Sequence, residues 1–190
     1  MSCFVYGTLM YPEVLTALIQ RVPRMEPAII HGYQRYRIRG QVFPGTIRSA
    51  APGAQVQGLV LFDLLPDELE MLDEFEGEEY FKEGVEARLV QSGGAVPTLA
   101  YLWQDRLRPL LYGEWDPEQF REQQLGSYVE MCSSFAADVQ AQRGWKGQFP
   151  TSSDDEGEGE GEDGQAAAAA GSTGACSGDD PAAEQPAQRP

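Results

Sequence analysis

Leu69-Glu70-Met71-Leu72-Asp73-Glu74-Phe75-Glu76-Gly77-Glu78-Glu79-Tyr80 reads as the body and end of a helix that opens at Pro66, a residue suited to the first helical position. Its apolar residues, Leu65, Leu69, Leu72 and Phe75, recur at helical spacing and define one buried stripe. Glu76 lies seven residues after Leu69 and four after Leu72, so it continues that stripe, whereas Glu70, Asp73 and Glu74 fall largely off it. One carboxylate therefore points inward. Gly77 stops the helix and leaves Glu76 in the last turn, where the negative helix end and apolar neighbours both oppose ionisation. A carboxylate in that setting is a candidate general acid/base; the alternative from pattern alone is a side chain at a frayed helix end that reaches solvent.

On the N-terminal side of this helix, Gln55-Val56-Gln57-Gly58-Leu59-Val60-Leu61-Phe62-Asp63 reads as a strand that becomes continuously apolar and hence buried, with Gly58 marking a bulge or a close backbone approach. On the other side, Tyr80 to Val90 predicts a strand, Ser92-Gly93-Gly94 a turn, and Thr98 to Trp103 the returning strand of a hairpin. Farther out, Ala28 to Val42 predicts one extended run whose second half alternates, placing Arg35, Arg37 and Arg39 on one face and Tyr36 and Ile38 on the other. The arginine face is expected to be solvated or paired with acids. Phe43-Pro44-Gly45-Thr46-Ile47 is expected as a turn between strands. Trp115-Asp116-Pro117-Glu118 starts a long final helix, with Asp116 as cap, that should cover one sheet face.

At the start of the chain, Cys3-Phe4-Val5-Tyr6 is β-prone, Gly7-Thr8 turns it, and Pro12 to Ile19 continues as a helix that ends before Pro23. Such a joint is either a plain tight turn or a cradle, in which the N–H groups of Gly7, Thr8 and Leu9 converge on a carboxylate or oxyanion. The element order is β-α-β-β-β-α-β-β-α. That is too little β-α alternation for a doubly wound sheet and too many strands for a helical bundle, so a mixed α/β domain is expected.

Composition divides the chain of 190 residues near Pro150. Residues 151–190 hold ten acidic residues and one basic, about −9 of the net −16, in a Glu-Gly and Ala-rich sequence too poor in apolar surface to offset the entropy of ordering. A core domain over 1–150 and a disordered acidic tail over 151–190 are expected, the tail either solvating or docking a basic protein partner. The net negative charge argues against nucleic-acid binding. Cys3, Cys132 and Cys176 show neither disulfide nor zinc spacing, and the acidic run from Asp73 to Glu79 lacks the ligand spacing of a calcium loop, so no metal is expected. The single histidine, His31, leaves little room for Ser-His or metal chemistry. No stretch approaches ~18 apolar residues and no charged leader precedes the first strand, so no membrane association and a cytoplasmic setting are expected.

Phe4-Val5-Tyr6-Gly7-Thr8-Leu9 followed by Leu72-Asp73-Glu74-Phe75-Glu76-Gly77-Glu78-Glu79-Tyr80 resembles the gamma-glutamylcyclotransferase-like superfamily. The later residues Tyr101-Leu102-Trp103 and Tyr112-Gly113-Glu114-Trp115-Asp116 are similar to its plant avirulence-induced-gene (AIG2-like) branch, and the resemblance spans roughly residues 2 to 140. It implies an α+β fold, a mixed β-barrel or sheet flanked by helices. It also implies a small-molecule γ-glutamyl substrate, intramolecular aminolysis to 5-oxoproline (an acyltransferase of the aminoacyl-transfer class), Glu76 as acid/base, and no metal or organic cofactor. The substrate loop maps to Tyr6, Gly7, Thr8 and Leu9, with Met10 and Tyr11 as its extension and Tyr80 as a pocket residue. Where the family often carries arginine two residues after this tyrosine, Lys82 stands here, which removes a planar fork. The competing reading is a non-catalytic module on the same fold that binds a γ-glutamyl group or small carboxylate.

Overall fold

The computed structural model describes residues 1–143; the acidic segment expected over 151–190 lies outside the described residues. Five strands close into a barrel: β1 (Cys3–Val5), β2 (Arg24–His31), β5 (Gln55–Phe62), β6 (Tyr80–Leu89) and β7 (Ala95–Trp103), in the order β1-β5-β2-β6-β7. Neighbours are antiparallel except β1 and β7, whose short parallel ladder pairs Cys3 with Leu99 and seals the ring. Closure leaves the barrel no exposed edge. A separate antiparallel sheet, in the order β4-β3-β8, is built from β3 (Tyr33–Ile38), β4 (Pro44–Arg48) and β8 (Leu111–Tyr112). Helices α1 (Pro12–Ile19), α2 (Pro66–Glu76), α3 (Pro117–Gln123) and α4 (Leu125–Arg143) complete an α+β fold.

Strand alternation sorts the apolar residues into two clusters. Phe4, Ile30, Val60, Val85 and Leu102 point into the barrel, while Cys3, Val5, Leu61 and Tyr101 point out toward α1, α2 and α4. β5 is therefore buried on both faces, as its apolar run predicts. Gly58 on this strand is a close approach: a Cβ there would lie 2.2 Å from the Val5 carbonyl oxygen and 2.7 Å from the Phe4 ring. The helical stripe of α2 is corrected at its start. Leu65 is the exposed N-cap, and the first turn buries Glu68 instead, which accepts the Leu65 N–H at 2.8 Å and forms a two-point ion pair with Arg21.

Three other expectations change. The run from Ala28 to Val42 is two strands, because Gly32 takes φ +81°, a conformation open to glycine, and swings the chain from the barrel into the small sheet. Phe43 to Ile47 is mainly strand; β4 is an edge strand, where Pro44 is tolerated without its N–H. The final helix divides at Gln124, just before the pair Gly126-Ser127, and α4 packs chiefly on α1 rather than on a sheet face. Among the described residues no helix is long and apolar enough to cross a membrane.

Candidate active site

The chain leaves β1 at Val5, passes Tyr6, and enters a single 3-10 turn, Thr8–Met10, before Pro12 opens α1. Two contacts fix Tyr6: its hydroxyl donates to the Tyr101 carbonyl on β7 at 2.5 Å, and its own carbonyl accepts from Arg35 Nη1 at 2.6 Å. Gly7 lies so close to Pro44 that a Cβ would meet the ring at 2.9 Å. The opening N–H groups of a helical turn have no acceptor within it. Among the described residues, those of Gly7, Thr8 and Leu9 donate to no other protein group. Three donors in succession are thus left free. The Thr8 hydroxyl donates to that of Tyr128 at 3.3 Å, which ties the turn to α4.

Glu76 is the last residue of α2, and Gly77, at φ +65°, ends the helix behind it. Burial, and then the charge of Asp73 one turn earlier, push the Glu76 carboxyl from its ordinary 4.5 up to about 8. The side chain is enclosed by protein yet keeps some accessible surface, because its open side is a cavity. No hydrogen-bond donor or cation among the described residues engages its carboxylate. Asp73, by contrast, is occupied: Tyr101 donates to Oδ1 at 2.7 Å and Lys82 Nζ sits 2.6 Å from Oδ2. Lys82 thus serves as a point charge on one carboxylate oxygen, a task that does not need the arginine fork. Two carboxylates one turn apart are thereby driven to different roles, one held and one free.

The cavity holds about 160 Å³. Tyr6, Gly7, Thr8 and Leu9 form one part of its wall, Phe75 and Glu76 another, and Tyr80, Tyr101, Trp103 and Tyr128 give it an aromatic lining. Tyr80 is held in place by donation to the Pro44 carbonyl at 2.8 Å and an edge contact with Trp103 at 5.0 Å. Met10 and Tyr11, expected as the loop's extension, are not in the wall. The turn carries them away from it: Met10 packs on the helical core, and Tyr11 donates to the Pro117 carbonyl at 2.6 Å with its ring on Phe120. Nor do the three arginines face the cavity or pair with acids. Arg37 donates to the Glu114 carbonyl at 2.9 Å, and Arg39 lies over the Tyr112 ring. Among the described residues no three metal-ligating side chains converge.

The cavity thus brings together a free carboxyl, free backbone donors and an enclosing aromatic wall. The family model described as gamma-glutamyl cyclotransferase, AIG2-like, matches residues 3–117. The chain belongs to this family. AIG2-like protein C of Arabidopsis thaliana is 40% identical over 132 residues, 70% of this chain and 76% of that protein. AIG2-like protein D of the same plant is 37% identical over 139 residues, 73% of this chain and 90% of that protein. The solution structure of another Arabidopsis thaliana protein matches with a TM-score of 0.56 at 28% identity, covering 77% of this chain and 94% of that one.

In this AIG2-like chain, the wall residues that sequence reasoning did not single out include Gln41, Phe43, Tyr101, Trp103 and Tyr128. Tyr101 and Trp103 had a signal, since they share one face of an alternating strand; the register that sets Tyr101 opposite Lys82 is what brings them to Asp73 and Tyr80.

Proposed function

We propose that this AIG2-like chain is a γ-glutamyl cyclotransferase that converts a γ-glutamyl compound to 5-oxoproline and a free amine, with Glu76 as its acid/base. The observation that carries the reading is a carboxyl without a partner that titrates near 8 and opens into the same cavity as three free backbone N–H groups. An α-amino group ordinarily titrates at about 7.7–8.0, so proton exchange between it and Glu76 is nearly thermoneutral, the condition in which acid/base catalysis works best.

The substrate supplies its own nucleophile. Glu76 takes a proton from the α-ammonium, the freed amine attacks the γ-carbonyl, and a carbon–nitrogen bond forms as the carbonyl oxygen becomes an oxyanion. Glu76 then returns the proton to the departing nitrogen as the original γ-amide bond breaks. The carboxylate so regenerated takes the second proton from the ring nitrogen, leaving the neutral lactam, and passes it to the released amine, which departs as an ammonium. Atoms and charge balance without water or cofactor. The Gly7, Thr8 and Leu9 amides offer donors to the oxyanion or the α-carboxylate. The aromatic wall holds the chain folded for closure of a five-membered ring, and effective molarities of ~10⁵ M or more are within reach of such proximity.

The test is 5-oxoproline release, read by mass spectrometry, from γ-glutamyl amino acids, γ-glutamylamines, ε-(γ-glutamyl)-lysine and glutathione. The full chain releases 5-oxoproline from at least one class, and Glu76→Gln loses turnover while keeping its fold. A folded wild-type protein inert toward all four classes, or a Glu76→Gln variant with undiminished turnover, overturns the proposal.

A further inference from the structure

We infer that Arg35 is a positioning residue that orients and polarises the Gly7 N–H from outside the cavity. Arg35 stands on β3, in the small sheet, and does not line the cavity. Its half-buried guanidinium rests 5.0 Å from the centre of the Trp115 ring, and Trp115 is itself fixed by donation to the Val42 carbonyl at 2.8 Å. Among the described residues its single hydrogen bond is the one to the Tyr6 carbonyl, and no carboxylate lies within ion-pair distance. A cation taken part-way out of water, with the Glu114 and Asp116 carboxylates acting on it only from beyond ion-pair distance, is costly, and this one makes its hydrogen bond to one peptide group of the candidate substrate loop.

That peptide joins Tyr6 to Gly7. It is trans, so the Gly7 N–H points away from the guanidinium, and Gly7 lines the cavity whereas Arg35 does not. Amide resonance links the two ends. A charge-assisted bond at the oxygen draws electron density from the nitrogen and makes its N–H a stronger donor. The Gly7 N–H has no acceptor among the described residues, so the strengthened donor is available to an anionic oxygen of the ligand. The identity of that oxygen, the oxyanion or carboxylate of a γ-glutamyl substrate, rests on the function proposed above; the polarised peptide does not.

The experiment separates the two in the full chain. In Arg35→Met, the Gly7 amide nitrogen and proton resonances move upfield by more than those of other loop residues. kcat/KM toward the most active γ-glutamyl substrate falls about 10-fold or more, as expected when an oxyanion donor is weakened rather than removed. Added guanidinium restores turnover to Arg35→Ala but not to Glu76→Gln, and Arg39→Met, in the turn just after β3, matches wild type. If Arg35→Met does not fold, Arg35→Lys shows a smaller Gly7 displacement of the same sign. Gly7 resonances that coincide with wild type, or a loss of turnover that guanidinium does not rescue, refute the inference. A wild-type protein that releases no 5-oxoproline refutes the reaction instead, and the Gly7 resonances still decide whether Arg35 polarises this peptide.

Discussion

Glutamine at position 76 stabilises the protein, and the gain grows with pH. A carboxyl that titrates at 4.5 in the unfolded chain and at about 8 in the fold binds its proton more tightly when folded. Across that window folding takes up a proton, so stability falls as pH rises through it. Below the lower value the group is neutral in both states and costs nothing; above the upper value the whole cost is present. At ~1.4 kcal/mol for each pH unit, the interval from 4.5 to about 8 corresponds to ~5 kcal/mol. Solvent reaching Glu76 through the cavity screens the charge and reduces this to ~2–3 kcal/mol. Glutamine keeps the shape and is neutral throughout. With ~2–4 °C of melting temperature for each kcal/mol in a domain of this size, Glu76→Gln melts ~5–10 °C above wild type at pH 8.5 and within ~2 °C of it at pH 5. Thermal unfolding of both proteins by circular dichroism, across that range, provides the comparison. An offset that does not vary with pH, or one that favours wild type at alkaline pH, refutes the argument that Glu76 is held neutral by its surroundings.

Asp73→Asn moves the acid limb of the kcat/KM profile below the value near 8 set by Glu76, because the second cause of the raised value is removed while burial remains; a limb that stays in place refutes this coupling. Two glycine substitutions separate fold from site. Gly58→Ala puts a methyl 2.2 Å from the Val5 carbonyl oxygen inside a closed barrel that cannot yield, and lowers stability by ~3 kcal/mol or more, read as a fall in the urea midpoint. Gly7→Ala meets the Pro44 ring at 2.9 Å, displaces the loop, and lowers kcat/KM with the urea midpoint near wild type. Equal effects of the two on stability argue against that division.

The position of Glu76 was legible because it depends on local rules alone: helical phase from Leu69 and Leu72, and a glycine to end the helix. The turn after Tyr6 was legible for the same reason. What lay beyond reach is set by pairing across the chain. Whether Pro44 bends a loop or edges a sheet depends on β3, and whether Tyr101 meets Asp73 depends on the register of β6 and β7. Met10 and Tyr11 stand outside the cavity wall, because the chain turns through Thr8–Met10, advancing 120° rather than 100° per residue, and Tyr11 then leaves in extended conformation toward α1. Arg35 and Arg37 alternate on β3 as expected, with Arg39 in the turn beyond it, but the partners, a carbonyl of the first loop and rings of Trp115 and Tyr112, arrive from both ends of the sequence.

The break at Gly32 has a further consequence. Glu76 and the aromatic strand β7 belong to the barrel and its helices, whereas Phe43 and Pro44 reach the same cavity from a separate three-stranded sheet. The two parts of the cavity wall therefore mutate under different constraints. Residues 39–43 can lengthen, shorten or change character while the barrel's ladders stay as they are, so the shape of the cavity can be altered through a single appendage. The joint at Gly32 thus lets one face of the cavity vary while the closed ring of strands is left intact.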